Sequence, residues 1–290
     1  MSELPKVSVI IPVYNRPEEI RKCIEGVLNQ SYPEELYQIY VVDNGSTDKT
    51  REVVEEYPVN LKIQDNIQSS YAARNTGIKA SNNEIIAMID SDCDPVEDWL
   101  EKGVRKLQET EADLVGGNVE FTFTQRKTAS EVYDSINNMQ VKTDIENRGV
   151  AKTANLFSHR KVFDKIGFFP EVKSGGDVKW TRKATQNSFN LVYSKDAIVY
   201  HPARTFIPSM KKQFRVGKGK QANGEKSSRP DKLAMRFMPK KPSSLSTKLN
   251  QKLDYKVSKL MFLRLFIVVW MVNVFQNLGF ISGMISEAFS

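Results

Sequence analysis

Three apolar runs in the first hundred residues each stop at acidic or turn-forming residues, and they limit the fold more than anything else in the chain. Val7–Val13 runs into Tyr14-Asn15-Arg16, Val41-Val42 into Asp43-Asn44-Gly45-Ser46, and Ile85–Ile89 into Asp90-Ser91-Asp92. Short runs rich in Val and Ile and closed by turn formers mark strands buried on both faces. Strands are expected at 7–13, 37–42, 61–64 and 84–89, with helices at 17–29, 48–57, 70–80 and 96–108. Alternating strands and helices imply parallel pairing through right-handed crossovers. Ligands of such sheets bind beyond the carboxyl ends of the strands. Asp43, Asp90 and Asp92 all fall at those ends and can converge despite their separation in sequence. Pro17 suits a first helical turn, where its missing N–H does no harm. Ser46-Thr47-Asp48 offers capping oxygens to the helix that follows.

Beyond Asp113 the pattern changes. A strand is expected at 114–124, a polar helix at 129–142, a strand at 152–157 and a short helix at 160–166 ending at Gly167. Gly175-Gly176-Asp177 opens another helix through Thr185, and 190–200 is strand again. A very basic helix follows at 203–219. Residues 221–246 are rich in Lys, Ser and Pro and read as a basic flexible linker. Residues 247–290 read as an amphipathic or membrane helix, with the 21 residues of Leu265–Ile285 free of charge. That length permits a span. Asn273, Gln276, Asn277 and Ser282 disfavour one, so an interfacial helix, a span and a helix packed on a soluble domain all stay open. Gly279 and Gly283 form a GxxxG pair that allows close helix contact.

Charge separates along the chain. Residues 204–290 hold 17 Lys or Arg and 4 Asp or Glu, a balance of +13, so a net charge of +7 leaves −6 on residues 1–203. Clustered basic charge suits the anionic cytoplasmic leaflet or nucleic acid, and the apolar segment favours the membrane. Two cysteines, Cys23 and Cys93, give neither a disulfide framework nor zinc spacing and fit a reducing compartment. Met1–Lys6 runs almost directly into the first strand with no secretory signal, so a cytoplasmic location with peripheral or single-span membrane association is expected.

Five motifs in order carry a resemblance over residues 5–220. They are VSVIIPVYNR, VVDNGSTDKT, the 66–80 stretch NIQSSYAARNTGIKA, IIAMIDSDCDP and SGGDVKWTRKA. The chain resembles family 2 glycosyltransferases. The resemblance implies an α/β GT-A fold, Rossmann-like with a mostly parallel sheet, carrying here a basic, helical, membrane-associating extension. It places a catalytic domain at 1–220, with a nucleotide-binding half (1–110) and an acceptor half (111–220). It further implies a nucleotide-diphosphate sugar donor, a divalent cation and inversion at the anomeric carbon.

By the resemblance, Asp92 holds Mn²⁺ or Mg²⁺, and Asp90, with Ser91, meets the ribose or water on the cation. A departing diphosphate needs about two negative charges compensated, which a divalent cation does as a Lewis acid. His201 is a further candidate ligand, a satisfied structural His being the alternative; His159 is read as structural. Asp43 can accept from uracil N3–H, although Asn44 stands where the family more often has a second Asp. Pro12, Tyr14 and Asn15 are candidates to meet the base, with Tyr14 stacking on it or serving as a core-edge tyrosine. Arg74 resembles the family arginine that faces the nucleotide. Asp177 is the candidate general base, an N-cap role being the alternative; the family's preceding Glu is replaced by Gly176. Gly117, Gly176, Trp180, Arg182 and Arg215 are candidate acceptor or diphosphate contacts, core packing being equally open for Trp180.

Gln213-Phe214-Arg215-Val216 does not match the QxxRW element of processive synthases, so one sugar per encounter is expected. The expected donor is a UDP-sugar, with a GDP-sugar as second choice, and the acceptor a glycan or lipid-linked molecule. A sugar nucleotidyltransferase would need a Gly-rich phosphate loop where this chain reads PVYNRPEE. A catalytically inactive sugar-nucleotide-binding protein is a further alternative. Nucleic acid is not expected, because aromatics interleave sparsely with the lysines.

Overall fold

The structure, a computed structural model, describes residues 4–172, 174–222, 237, 238, 249 and 257–288. Most of the linker expected at 221–246 and the onset of the helix expected from 247 lie outside the described residues. The first half follows the strand–helix pattern: β1 (Val7–Val13), α1 (Pro17–Leu28), β2 (Tyr37–Asp43), α2 (Thr50–Glu55), β3 (Asn60–Ile63), α3 (Ser70–Ala80) and β4 (Ile85–Ile89). Every residue of β1 and β4 is buried, as parallel strands covered on both faces require. In α1, Ile20, Cys23, Ile24 and Val27 form one buried stripe at helical spacing, and Pro17 occupies the first turn.

Three helix starts differ from the sequence reading, the basic helix expected from 203 beginning at Phe206. Helix α2 begins at Thr50, because Ser46 is drawn back onto Asp43 and Asp48 accepts from the Thr50 N–H at 3.0 Å. The helix expected from 96 begins at Trp99, because Asp94–Pro95 form a short strand, β5, paired with Val199 and Tyr200. The chain continues as α4 (Trp99–Glu109), β6 (Leu114–Thr122), α5 (Ala129–Asn137), α6 (Val141–Arg148), β7 (Asn155–His159), α7 (Arg160–Ile166), α8 (Gly176–Gln186) and β8 (Leu191–Pro202). The single polar helix expected at 129–142 is two helices, since Met139 takes a left-handed φ of 50°. Last come α9 (Phe206–Ala222) and α10 (Lys259–Ala288).

The strands form one eight-stranded sheet in the order β3-β2-β1-β4-β7-β6-β8-β5. β3, β2, β1 and β4 are mutually parallel, while β7 runs antiparallel to β4 and to β6. The order reverses at β1, whose neighbours are β2 on one side and β4 on the other. That is the switch point where doubly wound sheets open their ligand crevice.

Two compact units divide the chain differently from the linear scheme expected from sequence. One comprises residues through Phe121 with Met139–Pro202; the other comprises Thr122–Asn138 with the described residues from Ala203 onward. The first holds the sheet and the larger apolar core. In the second, Ala129, Val132 and Ile136 of α5 pack with Met210 of α9 and with Leu265, Val268 and Val272 of α10. The apolar stripe of α5 therefore assigns that helix to the second unit.

Candidate active site

The turn after β2 is built around Asp43. Its side chain is fully buried, and its oxygens accept from the N–H groups of Gly45 (3.2 Å) and Ser46 (3.1 Å) and from Arg51 Nε (2.6 Å). Gly45 takes the φ of 84° that this turn needs. Asp43 therefore organises the loop rather than presenting a carboxylate to a base, which corrects the sequence expectation. The cation responsible, Arg51, lies one helical turn into the next element and was not singled out from sequence.

Asn44 explains its own departure from the family pattern. With its amide nitrogen turned to the 64–69 loop, it donates to Gln64 O (3.2 Å) and Ile67 O (3.1 Å), while its oxygen accepts from the Ser69 N–H (3.1 Å). A carboxylate here would face two carbonyl oxygens with nothing to donate. Asn44→Asp, although it restores the common family residue, is expected to lower stability by about 1–3 kcal/mol, measured by urea unfolding.

The β1 turn is tied to the β2 turn. Asn15, at a φ of 49°, accepts from the Thr47 N–H (2.8 Å), and its own N–H donates to Ser46 Oγ (2.9 Å). Pro12 is buried opposite Val42, whereas Tyr14 is 41% exposed. Of these three, Tyr14 offers an open aromatic face.

The Asp-x-Asp segment follows β4. Ser91 is buried, and the Cys93 N–H closes the turn onto Asp90 O at 3.0 Å. Asp90 is paired with Arg74 of α3, whose guanidinium also donates to Ser70 O at 3.2 Å. Arg74 is 2% exposed, so it turns inward and orients Asp90 instead of facing the crevice directly. Asp92 meets Arg16 at 3.1 Å and His201 Nε2 at 3.7 Å. Arg16, just past β1, is a second cation that sequence reasoning did not single out.

His201, near the end of β8, is fully buried with Phe121 edge-on at 5.6 Å. Its Nδ1 lies 2.8 Å from Pro202 O. A carbonyl oxygen only accepts, so Nδ1 donates there, and Nε2 is the ring atom left facing Asp92. Donor atoms of Asp92, Cys93 and His201 all lie within 4.8 Å of one another. A carboxylate and an imidazole so arranged fit one small divalent cation. Burial, then the charges of Asp92 and Asp90, push the Cys93 thiol well up, so it stays protonated beside them.

Asp177 sits in the first turn of α8, with Gly175 at the N-cap position. It accepts from its neighbour Val178 N–H (2.8 Å) and from the Tyr71 hydroxyl (3.0 Å). Burial, then the Asp177 charge, pushes the Tyr71 phenol up and keeps it a donor. Tyr71 and Arg74 are one turn apart on α3, with the guanidinium 5.8 Å from the Tyr71 ring centroid. One helix thus links Asp177 to Asp90.

Tyr71 also accounts for Gly176. A Cβ at 176 would lie 2.7–2.9 Å from the Tyr71 ring, so the family's glutamate does not fit beside this tyrosine. Gly176→Ala is expected to cost about 1–3 kcal/mol through overpacking, read as a lowered thermal midpoint; combining it with Tyr71→Ala should remove most of the steric component.

Several acceptor candidates have other roles. Trp180 is 1% exposed, stacks on Phe163 at 4.3 Å and donates to Gly167 O at 2.7 Å, so it belongs to the core and not to a sugar-binding face. Gly117 leaves room for Asn155, whose amide would lie 2.3 Å from a Cβ there. Asn155 in turn ties Trp99, Asn118 and Ala197 together. Arg182 is exposed on α8, and Arg215 is exposed on α9 of the other unit.

A doubly wound sheet with acidic residues beyond β4, the neighbour of its switch-point strand, and a second carboxylate tied to them through α3, has the architecture of a GT-A glycosyltransferase. The sequence matches glycosyl transferase family 2 over residues 8–169. It is 44% identical to glycosyltransferase AglE of Haloferax volcanii, with 97% of each chain covered. It is 34% identical to a dolichyl N-acetylglucosaminyl phosphate diacetamido-dideoxy-glucuronosyltransferase of Methanococcus voltae, over 38% of this chain and 37% of that one. The fold is similar to that of the mannosyltransferase PcManGT of Pyrobaculum calidifontis, solved with GDP-Man and Mn²⁺. The TM-score is 0.58 at 17% identity, covering all of this chain and 76% of the other. The chain belongs to glycosyl transferase family 2 and is an enzyme that transfers a sugar from a nucleotide sugar.

Proposed function

We propose that this enzyme is an inverting, non-processive transferase that moves one sugar from a UDP-sugar, or alternatively a GDP-sugar, to a glycan or lipid-linked acceptor at the cytoplasmic face of the membrane. The observation that carries this reading is the chain of contacts from Asp177 through Tyr71 and Arg74 to Asp90, beside Asp92 and His201. These contacts join the Asp177 carboxylate to the acidic end of β4 on one framework, which supports a role for it as proton acceptor.

Asp92 and His201 would hold Mn²⁺ or Mg²⁺, which supplies Lewis-acid stabilisation of the departing diphosphate. Arg16 shares Asp92 and moderates the negative charge that an incoming diphosphate meets. Asp90, held by Arg74, is oriented toward the ribose. Tyr14 offers a ring face to the base. Asp177 takes the proton of the acceptor hydroxyl as its oxygen attacks the anomeric carbon. The bond from that carbon to the diphosphate oxygen breaks, and its electron pair leaves with the nucleoside diphosphate. The Tyr71 hydroxyl keeps one lobe of the carboxylate occupied and so fixes which oxygen accepts.

A lipid-linked acceptor is supported by the Methanococcus voltae relative, named for a dolichyl phosphate-linked substrate. The GDP alternative is supported by the GDP-Man in the related mannosyltransferase structure. One helix among the described residues, α10, is long and apolar enough to cross a membrane, which favours membrane association. The deciding test is a panel of UDP- and GDP-sugars with Mn²⁺ and polyprenyl-phosphate-linked acceptors. Release of one nucleoside diphosphate with a glycolipid of inverted anomeric configuration is expected. Retained configuration would remove Asp177 from its role.

A further inference from the structure

Resting on the membrane reading above, we propose that α10 lies along the anionic membrane surface and does not cross the bilayer. The argument stands on how α9 and α10 pack within the second unit. Helix α10 is largely apolar, with Asn273, Gln276, Asn277 and Ser282 as its polar positions between Leu265 and Ile285. Leu265, Val268, Val272 and Phe280 are buried on its inner face, while Leu263, Ile267, Trp270, Leu278 and Ile285 are 39–55% exposed along the other. Trp270 on that side donates to Phe237 O at 2.7 Å, and the apolar side chains around it are exposed among the described residues. A helix with one face covered and such a stripe opposite favours a second apolar phase.

The covered face is held by a helix that cannot enter hydrocarbon. A Cβ at Gly217 of α9 would lie 2.0 Å from Gln276 O, and one at Gly279 would lie 2.0 Å from Phe214 O. The two backbones therefore touch. Gln213 and Gln276 bond at 2.7 Å, and Gly283 abuts Gln221. Contacts advance together along both chains, from 213 with 276 to 221 with 283, so the helices run side by side and in the same direction. Helix α9 carries Lys211, Lys212, Arg215, Lys218 and Lys220. On the N-terminal half of α10, α5 covers Leu265, Val268 and Val272. Helix α5 also carries the buried Asp134, which accepts from the Arg204 N–H at 3.1 Å. An upright α10 would draw these charged and polar groups into the bilayer, where each Lys or Arg is strongly disfavoured. Lying in the interface, α10 sinks its exposed apolar stripe to the acyl boundary while Lys211, Lys218 and Lys220 of α9 stay at headgroup level and meet lipid phosphates.

The test uses the full chain with vesicles of phosphatidylcholine alone or mixed with phosphatidylglycerol. Flotation reports association. Quenching of Trp270 by lipids brominated at different acyl positions reports depth, because Trp99 and Trp180 are buried in the other unit. Further probes are Leu263→Trp, Leu278→Trp and Ile285→Trp, each in a Trp270→Phe background. Equal, shallow quenching at all four positions is expected. Lys211→Gln and Lys218→Gln should each lower partitioning onto the mixed vesicles about fivefold. Flotation with deep quenching at 270 and 278 and shallow quenching at 263 and 285 would mean a span; it overturns the in-plane arrangement and leaves membrane association intact. Absence of flotation from both vesicle types would overturn both. Sugar transfer to a soluble acceptor, assayed in parallel, reports the enzyme reading independently.

Discussion

Asp177→Asn is expected to lower sugar transfer by about three orders of magnitude, within the range for loss of a general base, while changing stability by less than about 0.5 kcal/mol. The amide can be oriented to keep an oxygen toward both the Tyr71 hydroxyl and the Val178 N–H, so the first turn of α8 stays intact. What disappears is the ability to take a proton. The loss should fall on kcat, with donor KM little changed, because the residues proposed to hold the cation and the ribose lie on other elements. Steady-state kinetics with the accepted nucleotide sugar checks this. Turnover above a tenth of wild type would remove Asp177 from the reaction.

Asp92→Ala is expected to reduce transfer to a similar degree by a different route. The substitution takes away the carboxylate that faces both His201 Nε2 and Arg16. His201 alone is a poor holder of a hard divalent cation. Binding of Mn²⁺ in the presence of UDP or GDP, followed by electron paramagnetic resonance, should weaken at least tenfold. His201→Gln should weaken it less, since the carboxylate remains. Manganese binding at wild-type strength in Asp92→Ala would place the cation elsewhere. The two substitutions are distinguishable because Asp177→Asn leaves manganese binding unchanged.

The parallel half of the fold was legible because its signals are local. Buried runs, Pro17 and the turn residues place β1, α1, β2, α3 and β4 to within a residue or two. The reversal at β7 was not legible, since periodicity says nothing about the direction in which a strand pairs. Site residues divide the same way. Asp90, Asp92 and His201 come together as their strand-end positions suggest. The burial of Asp43 depends on Arg51, and the inward turn of Arg74 depends on Asp90 sixteen residues away. Trp180 joins the core because Phe163 and Phe169 arrive from a different stretch of chain. The bond from Tyr71 to Asp177 spans 106 positions, a separation across which no spacing rule operates. Gly176 and Asn44 look like losses against the family pattern until their spatial neighbours, Tyr71 and the 64–69 carbonyls, are known.

Because α5 packs with α9 and α10, the order of synthesis matters. Its oily side emerges from the ribosome well before the helix that covers it, since α5 ends at Asn137 and α10 begins at Lys259. Until α10 is made, Val132 and Ile136 lack its cover, an aggregation hazard for the nascent chain. Stopping the polypeptide at Pro202 would make that exposure permanent. A shortened soluble enzyme therefore requires replacing the apolar side chains of α5 along with removing the tail.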